Sequence, residues 1–395
     1  MSGRVTGPLA GLKVVELAGL GPAPFCAMLL ADLGADVTCV DRAAWVGTSE
    51  PMDALRRGRR SIAVDLKHDG AAETVLRLVE RADVFLEGFR PGVAERLGIG
   101  PQPCLDRNPA LIYGRMTGWG QDGPLASVAG HDINYIAVAG ALQPIGRAGE
   151  PPVPPLNLLG DFGGGGMLLA LGVLAALQER AVSGTGQVVD AAMVDGASLL
   201  LTMLHDQRHI GMWSDRRADN YIDTAAPYYD TYETSDGRYV AVGAIEPQFW
   251  SELLRLLDLD PSSLPEQEDK EKWPAMKRRF ADIFAGRTRD EWCEIFDGAD
   301  ACVTPVLAPD EVAAYPHMAA RRAMITVGDR VLPAPAPRFS RSHPTHPSQP
   351  PRPGQDSVHV LAAAGFTDGE IGALLSSGAV AGDDGGLSAH IRNTP

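Results

Sequence analysis

The sequence predicts an α/β protein: a large domain built on a parallel sheet, with a separate, smaller α+β domain. Three observations carry this reading. Short apolar runs alternate with helical patterns through the first 190 residues, a hairpin signal appears only after residue 225, and a proline-rich stretch separates that second unit from two final helical patterns. Strands that alternate with helices bury both faces of their sheet, the situation in which parallel pairing occurs.

The run 12–17 (LKVVEL) is short and apolar, as a buried strand requires. It breaks at Gly-Leu-Gly-Pro-Ala-Pro, and 23–33 then reads as a helix closed by Gly34. Residues 36–40 and 61–66 read as the next two strands. Asp69 is placed to cap a helix over 70–81, with Val75, Leu76 and Val79 on one face. Strands follow at 83–89 (DVFLEGF) and 110–116, with Pro91 where a first helical position tolerates it. From 228 to 245 two alternating strands meet at Ser235-Asp236-Gly237, a hairpin turn. Helical patterns occupy 248–257 and 270–285. The stretch 333–353 is rich in proline and serine and reads as irregular chain; helices resume at 356–364 and 368–376. The expected organisation is 1–200 for the first part of the large domain, 201–224 as a linker and 225–330 as the small domain. The chain from 331 to 380 forms a further segment, and 381–395 is a disordered tail.

Composition narrows the function. Of 395 residues 45% are hydrophobic, and 50 acidic against 35 basic side chains give a formal net charge of −15. Such a chain repels nucleic acid and anionic lipid, so neither a nucleic-acid nor a membrane partner is expected. The longest apolar stretch, 167–177, has 11 residues, against about 20 needed to cross a bilayer. No signal peptide is expected at the N-terminus. The five cysteines are scattered without a CxxC spacing, which predicts no disulfide framework, no metal site and a cytoplasmic setting.

Several residues suggest chemistry. Gly19-Leu20-Gly21 followed by Asp41 imitates a dinucleotide fingerprint, but Pro24 stands where the third glycine belongs and Pro22 removes an amide. An ordinary strand-to-helix turn is the better reading. Arg42 suits a phosphorylated ribose at the end of its strand. Arg56, Arg57, Arg59 and Arg60 concentrate charge before the third strand, as a solvated basic loop or as an anion clamp. Lys67, Arg90 and Arg96 follow the next two strands toward the sheet's carboxyl edge, where open α/β sheets bind ligands. His131 is a structural or a catalytic histidine. Gly163, Gly164, Gly165 and Gly166 open an otherwise good helix, at up to about 1 kcal/mol each relative to alanine, which requires the close approach of a backbone or ligand. Asp161 lies just before that helix, as an N-cap or beside amides that an anion shares. Glu246 alone reads as a surface carboxylate.

Five segments, GPLAGLKVVELAGLGPAP from Gly7, FLEGFRPGVAERLGIG, MTGWGQDGP, GHDINY and GDFGGGG, together resemble the family III CoA-transferases, and within them the α-methylacyl-CoA racemase branch. The resemblance runs from Gly7 to about Ser340. It implies a Rossmann-like large domain to which 331–380 returns, with the small α+β domain inserted between, and two such chains interlocked as a homodimer. It also implies an acyl-CoA substrate, no metal, and no cofactor beyond the coenzyme A that forms part of the substrate. Carried onto this sequence, the CoA contacts fall on Arg42, Val64, Asp65, Leu66, Lys67, Gly88, Phe89, Arg90, Arg96, Gly130, His131, Asp132, Ile133, Asn134 and Tyr135. The implied catalytic residues are His131 and Asp161, with Glu246 of the partner subunit behind the histidine. The implied reaction interconverts (2R)- and (2S)-2-methylacyl-CoA by two-base proton transfer through an enolate. The alternative within the family moves CoA between acids through an acyl anhydride on Asp161.

Overall fold

In the computed structural model, which describes residues 7–48, 54–343 and 346–382, the apolar runs of the first half assemble into one sheet. Its strands are β1 (Lys13–Leu17), β2 (Asp36–Arg42), β3 (Arg59–Val64), β4 (Val84–Glu87), β5 (Ile112–Thr117) and β6 (Gln187–Ala192). The order 3-2-1-4-5-6, all parallel, is that of a doubly wound Rossmann-type sheet. It reverses direction between β1 and β4, the place where such sheets bind ligands. Side chains alternate between two cores: Val15, Leu17 and Phe85 enter one, Val14, Val84 and Leu86 the other.

Helix α1 (Pro22–Asp32) begins with a proline in its first turn, where no amide partner is lost, and Gly34 follows it at φ 101°. Helix α2 (Ala71–Val79) starts from Gly70 in the left-handed conformation, so Asp69 is not its cap. After two short helices, Val93–Arg96 and Pro101–Arg107, come α3 (Asp132–Val138), α4 (Leu168–Ser183) and α5 (Met193–Leu200). Ahead of α4 the chain winds as a π-helix from Leu158 to Met167. The continuous helical stretch Leu158–Ser183 has 26 residues and is long and apolar enough, by length and composition, to cross a membrane. The 11-residue apolar run understated it because the glycines carry the helix on without adding apolar side chains. Here Leu169, Ala170, Val173 and Ala176 are buried in the second sheet core.

The described chain divides into two compact units. The first holds everything up to Ala139, then Leu156–Leu200, then all described residues from Arg322 on; the second holds Gly140–Pro155 and Leu201–Arg321. In the second unit β7 (Tyr229–Glu233) and β8 (Tyr239–Gly243) form the antiparallel hairpin, and β9 (Val303–Pro305) adds a third strand beside β8. Helices α6 (Pro247–Leu256) and α7 (Trp273–Phe284) cover it. Its core is aromatic, with Tyr232 stacked on Phe284 at 5.1 Å. Residues 201–224, read from the sequence as a linker, contain a helix at Thr202–His209.

Back in the first unit, Met324–Val327 and Arg330–Pro333 pair as β10 and β11, and the proline-rich chain after them is irregular where described. Helices α8 (Ser357–Ala363) and α9 (Asp368–Ser377) pack into the first sheet core. Strand β12 (Val380–Ala381) pairs antiparallel with β3, so the sheet is mixed at one edge and Ala381 is strand rather than tail. The remainder of the expected tail, 383–395, lies outside the described residues.

Candidate active site

At the switch point the turns after β1, β4 and β5 meet the N-terminus of α3 around a cavity of about 220 Å³. Gly21, Arg90, Trp119, His131, Tyr135 and Asp161 are among its lining residues. Gly21 adopts φ 67°, and a Cβ there would stand 3.1 Å from an Asp161 carboxylate oxygen, so glycine is required both by the turn and by the acid beside it. The Trp119 and Tyr135 rings meet edge to face at 4.8 Å, and the Tyr135 hydroxyl donates to the Gly130 carbonyl. Asn134 closes the start of α3 by accepting the His131 backbone N–H at 3.0 Å.

Asp161 is the fourth residue of the π-helix rather than a cap in front of it. Its own N–H donates to Asp132 Oδ2 at 2.7 Å, so that amide is already used and is not free for a ligand. Asn157 Nδ2 donates to its carboxylate at 3.1 Å. Burial lifts the Asp161 carboxyl above its ordinary value against the Asn157 bond; the nearby Asp132 charge adds to the lift and His131 opposes it. At two of the four consecutive glycines the close neighbour is the backbone of another helix. A Cβ on Gly164 would stand 2.7 Å from the Ala197 amide nitrogen of α5, and one on Gly166 would stand 2.7 Å from the Pro22 carbonyl oxygen of α1. The π-helix that carries Asp161 is thus pressed between two helices, a geometry that recurs at functional sites.

The basic residues separate into two groups. Arg56 pairs with Asp41, Arg57 with Asp32, Arg59 with Glu16 and Arg60 with Asp36. Glu16 and Arg59 are fully buried. Arg59 and Arg60 lie in β3 itself, and the four charges are spent on carboxylates of β1, β2 and α1. The cluster is therefore a set of ion pairs rather than a free anion clamp, with the Arg60 pair alone well open to solvent. Arg42, Lys67, Arg90 and Arg96 form no ion pair with the described residues; Arg42 lies over the Trp45 ring at 5.3 Å. Arg42 is the last residue of β2, and Lys67 and Arg90 follow the carboxyl ends of β3 and β4.

Of the other expected contacts, Gly88, Phe89, Arg90, Gly130, His131 and Tyr135 line the cavity, whereas Asp132, Ile133 and Asn134 do not. Phe89 is held from below, its N–H donating to the buried Glu87 at 2.7 Å. Val64 is buried in the sheet core, which leaves only its backbone for a ligand, Leu66 packs half-buried against that core, and the Asp65 carboxylate accepts the Lys67 N–H at 3.1 Å. Glu246 is exposed at the start of α6 in the second unit. Sequence reasoning missed Asn157 and Trp119, and it missed what the Asp132 side chain does. Asn157 stands four residues before Asp161, a helical spacing that could have marked it, whereas only folding brings Trp119 to Tyr135 and the Asp132 carboxylate to the Asp161 amide. Among the described residues no three His, Cys, Asp or Glu side chains are arranged to hold a metal.

A doubly wound sheet whose carboxyl edge carries cations without an ion pair among the described residues, and whose switch point sets an imidazole and a carboxylic acid around one cavity, defines an α/β protein suited to a small phosphorylated ligand. The chain belongs to CoA-transferase family III, whose sequence profile matches residues 9–357. It is 49% identical to the α-methylacyl-CoA racemase of Mus musculus over 378 residues, covering 95% of this chain and 98% of that one. It is 47% identical to the racemase of the same name from Homo sapiens, covering 93% and 96%. The crystal structure of a CAIB/BAIF family protein from Brucella suis superposes with a TM-score of 0.79 at 26% identity, covering 91% of this chain and 100% of that one.

Proposed function

We propose that this protein is an isomerase that racemises 2-methylacyl-CoA thioesters. The observation that carries the proposal is that His131 and Asp161, which lie 30 residues apart in the sequence, line one cavity at the switch point. In one direction a carboxylate takes the α-proton and the thioester becomes an enolate; the imidazolium on the other face then gives a proton to the same carbon. The reverse direction exchanges the roles, and no proton is gained or lost overall. The raised Asp161 carboxyl suits it to this work, since a proton acceptor whose affinity approaches the operating pH transfers protons most efficiently. The unpaired cations Arg42, Lys67, Arg90 and Arg96 are the groups for the coenzyme A phosphates, with coenzyme A entering as part of the substrate and not as a resident cofactor.

The partner subunit's Glu246 completes the arrangement by orienting His131, which makes an interlocked homodimer a condition of activity. Leu158, Met167, Leu171, Leu199 and Leu200 of the first unit are each more than half exposed, an apolar surface of the kind that a second chain covers. A cytoplasmic setting accords with five free cysteines.

The test is α-proton exchange in heavy water. A (2R)- or (2S)-2-methylacyl-CoA incubated with the protein takes up deuterium at C2 and drifts toward the racemic mixture. If neither epimer exchanges, the racemase reading fails. Hydroxylamine that inactivates the protein only when acyl-CoA is present, by trapping an acyl group on Asp161, would point instead to CoA transfer.

A further inference from the structure

The Asp132 carboxylate is buried, yet only one of its oxygens has a partner: Oδ2 accepts the Asp161 N–H, while Oδ1 is shut away from solvent with no hydrogen bond. A buried charge with an unpaired oxygen is costly and calls for a reason. The residue before Asp161 supplies a second observation. A Cβ on Gly160 would stand 2.5 Å from Asp132 Oδ2, so the chain keeps this position free of a side chain where the carboxylate must fit. Asp132 does not line the cavity and therefore acts on the chemistry only through its neighbour.

We propose that Asp132 is a positioning residue for Asp161: its carboxylate pins the Asp161 peptide and holds a second negative charge beside the Asp161 carboxyl, which strengthens it as a proton acceptor. This deepens the racemase reading and rests on it for its consequence in catalysis. The remaining charged or titratable groups on the cavity wall are His131, Arg90 and Tyr135. The elements packed on the π-helix add little. In α1 the one charged residue, Asp32, is bound to Arg57; in α4, Arg180 is bound to Asp83 and Glu179 accepts from Ser183 and Gln187. Asp190 of β6 and Asp195 of α5 act on each other, together with Arg115 and Asp122. Asp132 is the anionic group that acts on Asp161 directly.

The experiment compares wild type with Asp132→Asn, whose amide oxygen still accepts the Asp161 N–H but carries no charge. Two readouts are taken: the pH profile of kcat/KM for deuterium exchange, and a carbon-13 NMR titration of the Asp161 carboxyl in the free protein, assigned with Asp161→Asn. Asp132→Asn is expected to move the acid limb and the NMR midpoint to lower pH by about half a unit or more, as loss of a neighbouring like charge requires. Exchange on the plateau is expected to fall about tenfold, as for a weaker base. Gly160→Ala, which drives the carboxylate off its seat, is expected to lower the midpoint in the same direction and serves if Asp132→Asn does not fold. A folded variant with an unmoved Asp161 midpoint overturns the proposal. A moved midpoint in a protein whose wild type exchanges no α-proton upholds it and rejects the racemase reading alone.

Discussion

Arg59→Met separates a structural from a ligand-binding role for the arginine cluster. The Arg59 guanidinium is buried against Glu16 and also donates to the Pro24 carbonyl and, at 2.6 Å, to the Leu55 carbonyl. Methionine keeps much of the volume but leaves Glu16 as an unpaired buried charge. Breaking such a pair costs about 3–5 kcal/mol, or roughly a 10² to 10⁴-fold fall in the folding constant, a large part of the stability of an ordinary domain. The loss should depend on pH with a definite sign. Burial pushes the Glu16 carboxyl up to about 7 even though Arg59 and Arg56 pull it down. The folded state therefore holds this proton more tightly than the unfolded one, and the wild type loses up to about 3 kcal/mol from this group as pH rises from about 4.5 to about 7. Removing Arg59 lifts the carboxyl further, so the deficit of the variant should widen between pH 6 and pH 8 and shrink in acid. The measurement is the urea midpoint by circular dichroism across that range, with Glu16→Gln added to Arg59→Met expected to recover at least half of the loss at pH 8. An Arg59→Met protein with the wild-type midpoint and lost CoA affinity would refute the reasoning and restore the cluster as an anion clamp.

Arg90→Ala should behave in the opposite way. Arg90 is exposed without an ion pair among the described residues, so the melting temperature should hold while KM for an acyl-CoA rises about tenfold, the loss expected of one charge-assisted hydrogen bond; an unchanged KM removes Arg90 from the phosphate site. Asp161→Asn keeps the shape of the site and removes the base, so exchange should fall by roughly 10²–10⁴-fold with little change in the melting curve, and wild-type rates would reject its role. Gly164→Ala places a methyl group 2.7 Å from the Ala197 nitrogen. Parting α5 from the π-helix should cost about 1–3 kcal/mol, seen as a fall of several degrees in the thermal transition together with lost exchange; a melting temperature within a degree of wild type would contradict the packing.

Local sequence alone determined the periodic elements. β1 to β5, the β7–β8 hairpin and helices α6 to α9 follow from apolar spacing and turn residues, because a strand's alternation and a helix's stripe are written in consecutive residues. Edge strands escaped it for two reasons: β6 is exposed over most of its first four residues and carries no buried run, while β9 and β12, of three and two residues, are too short to hold a pattern. The same division governs the site. GHDINY and GDFGGGG marked His131 and Asp161 as candidates, and the cost of consecutive glycines demanded a close neighbour. Only the tertiary structure named that neighbour as the α1 and α5 backbones, carried Asp132 to the Asp161 amide, and sorted eight basic residues into four that are paired and four that form no ion pair with the described residues. Which carboxylate neutralises which arginine depends on strand order, and strand order depends on pairings between segments tens of residues apart, which local periodicity does not encode.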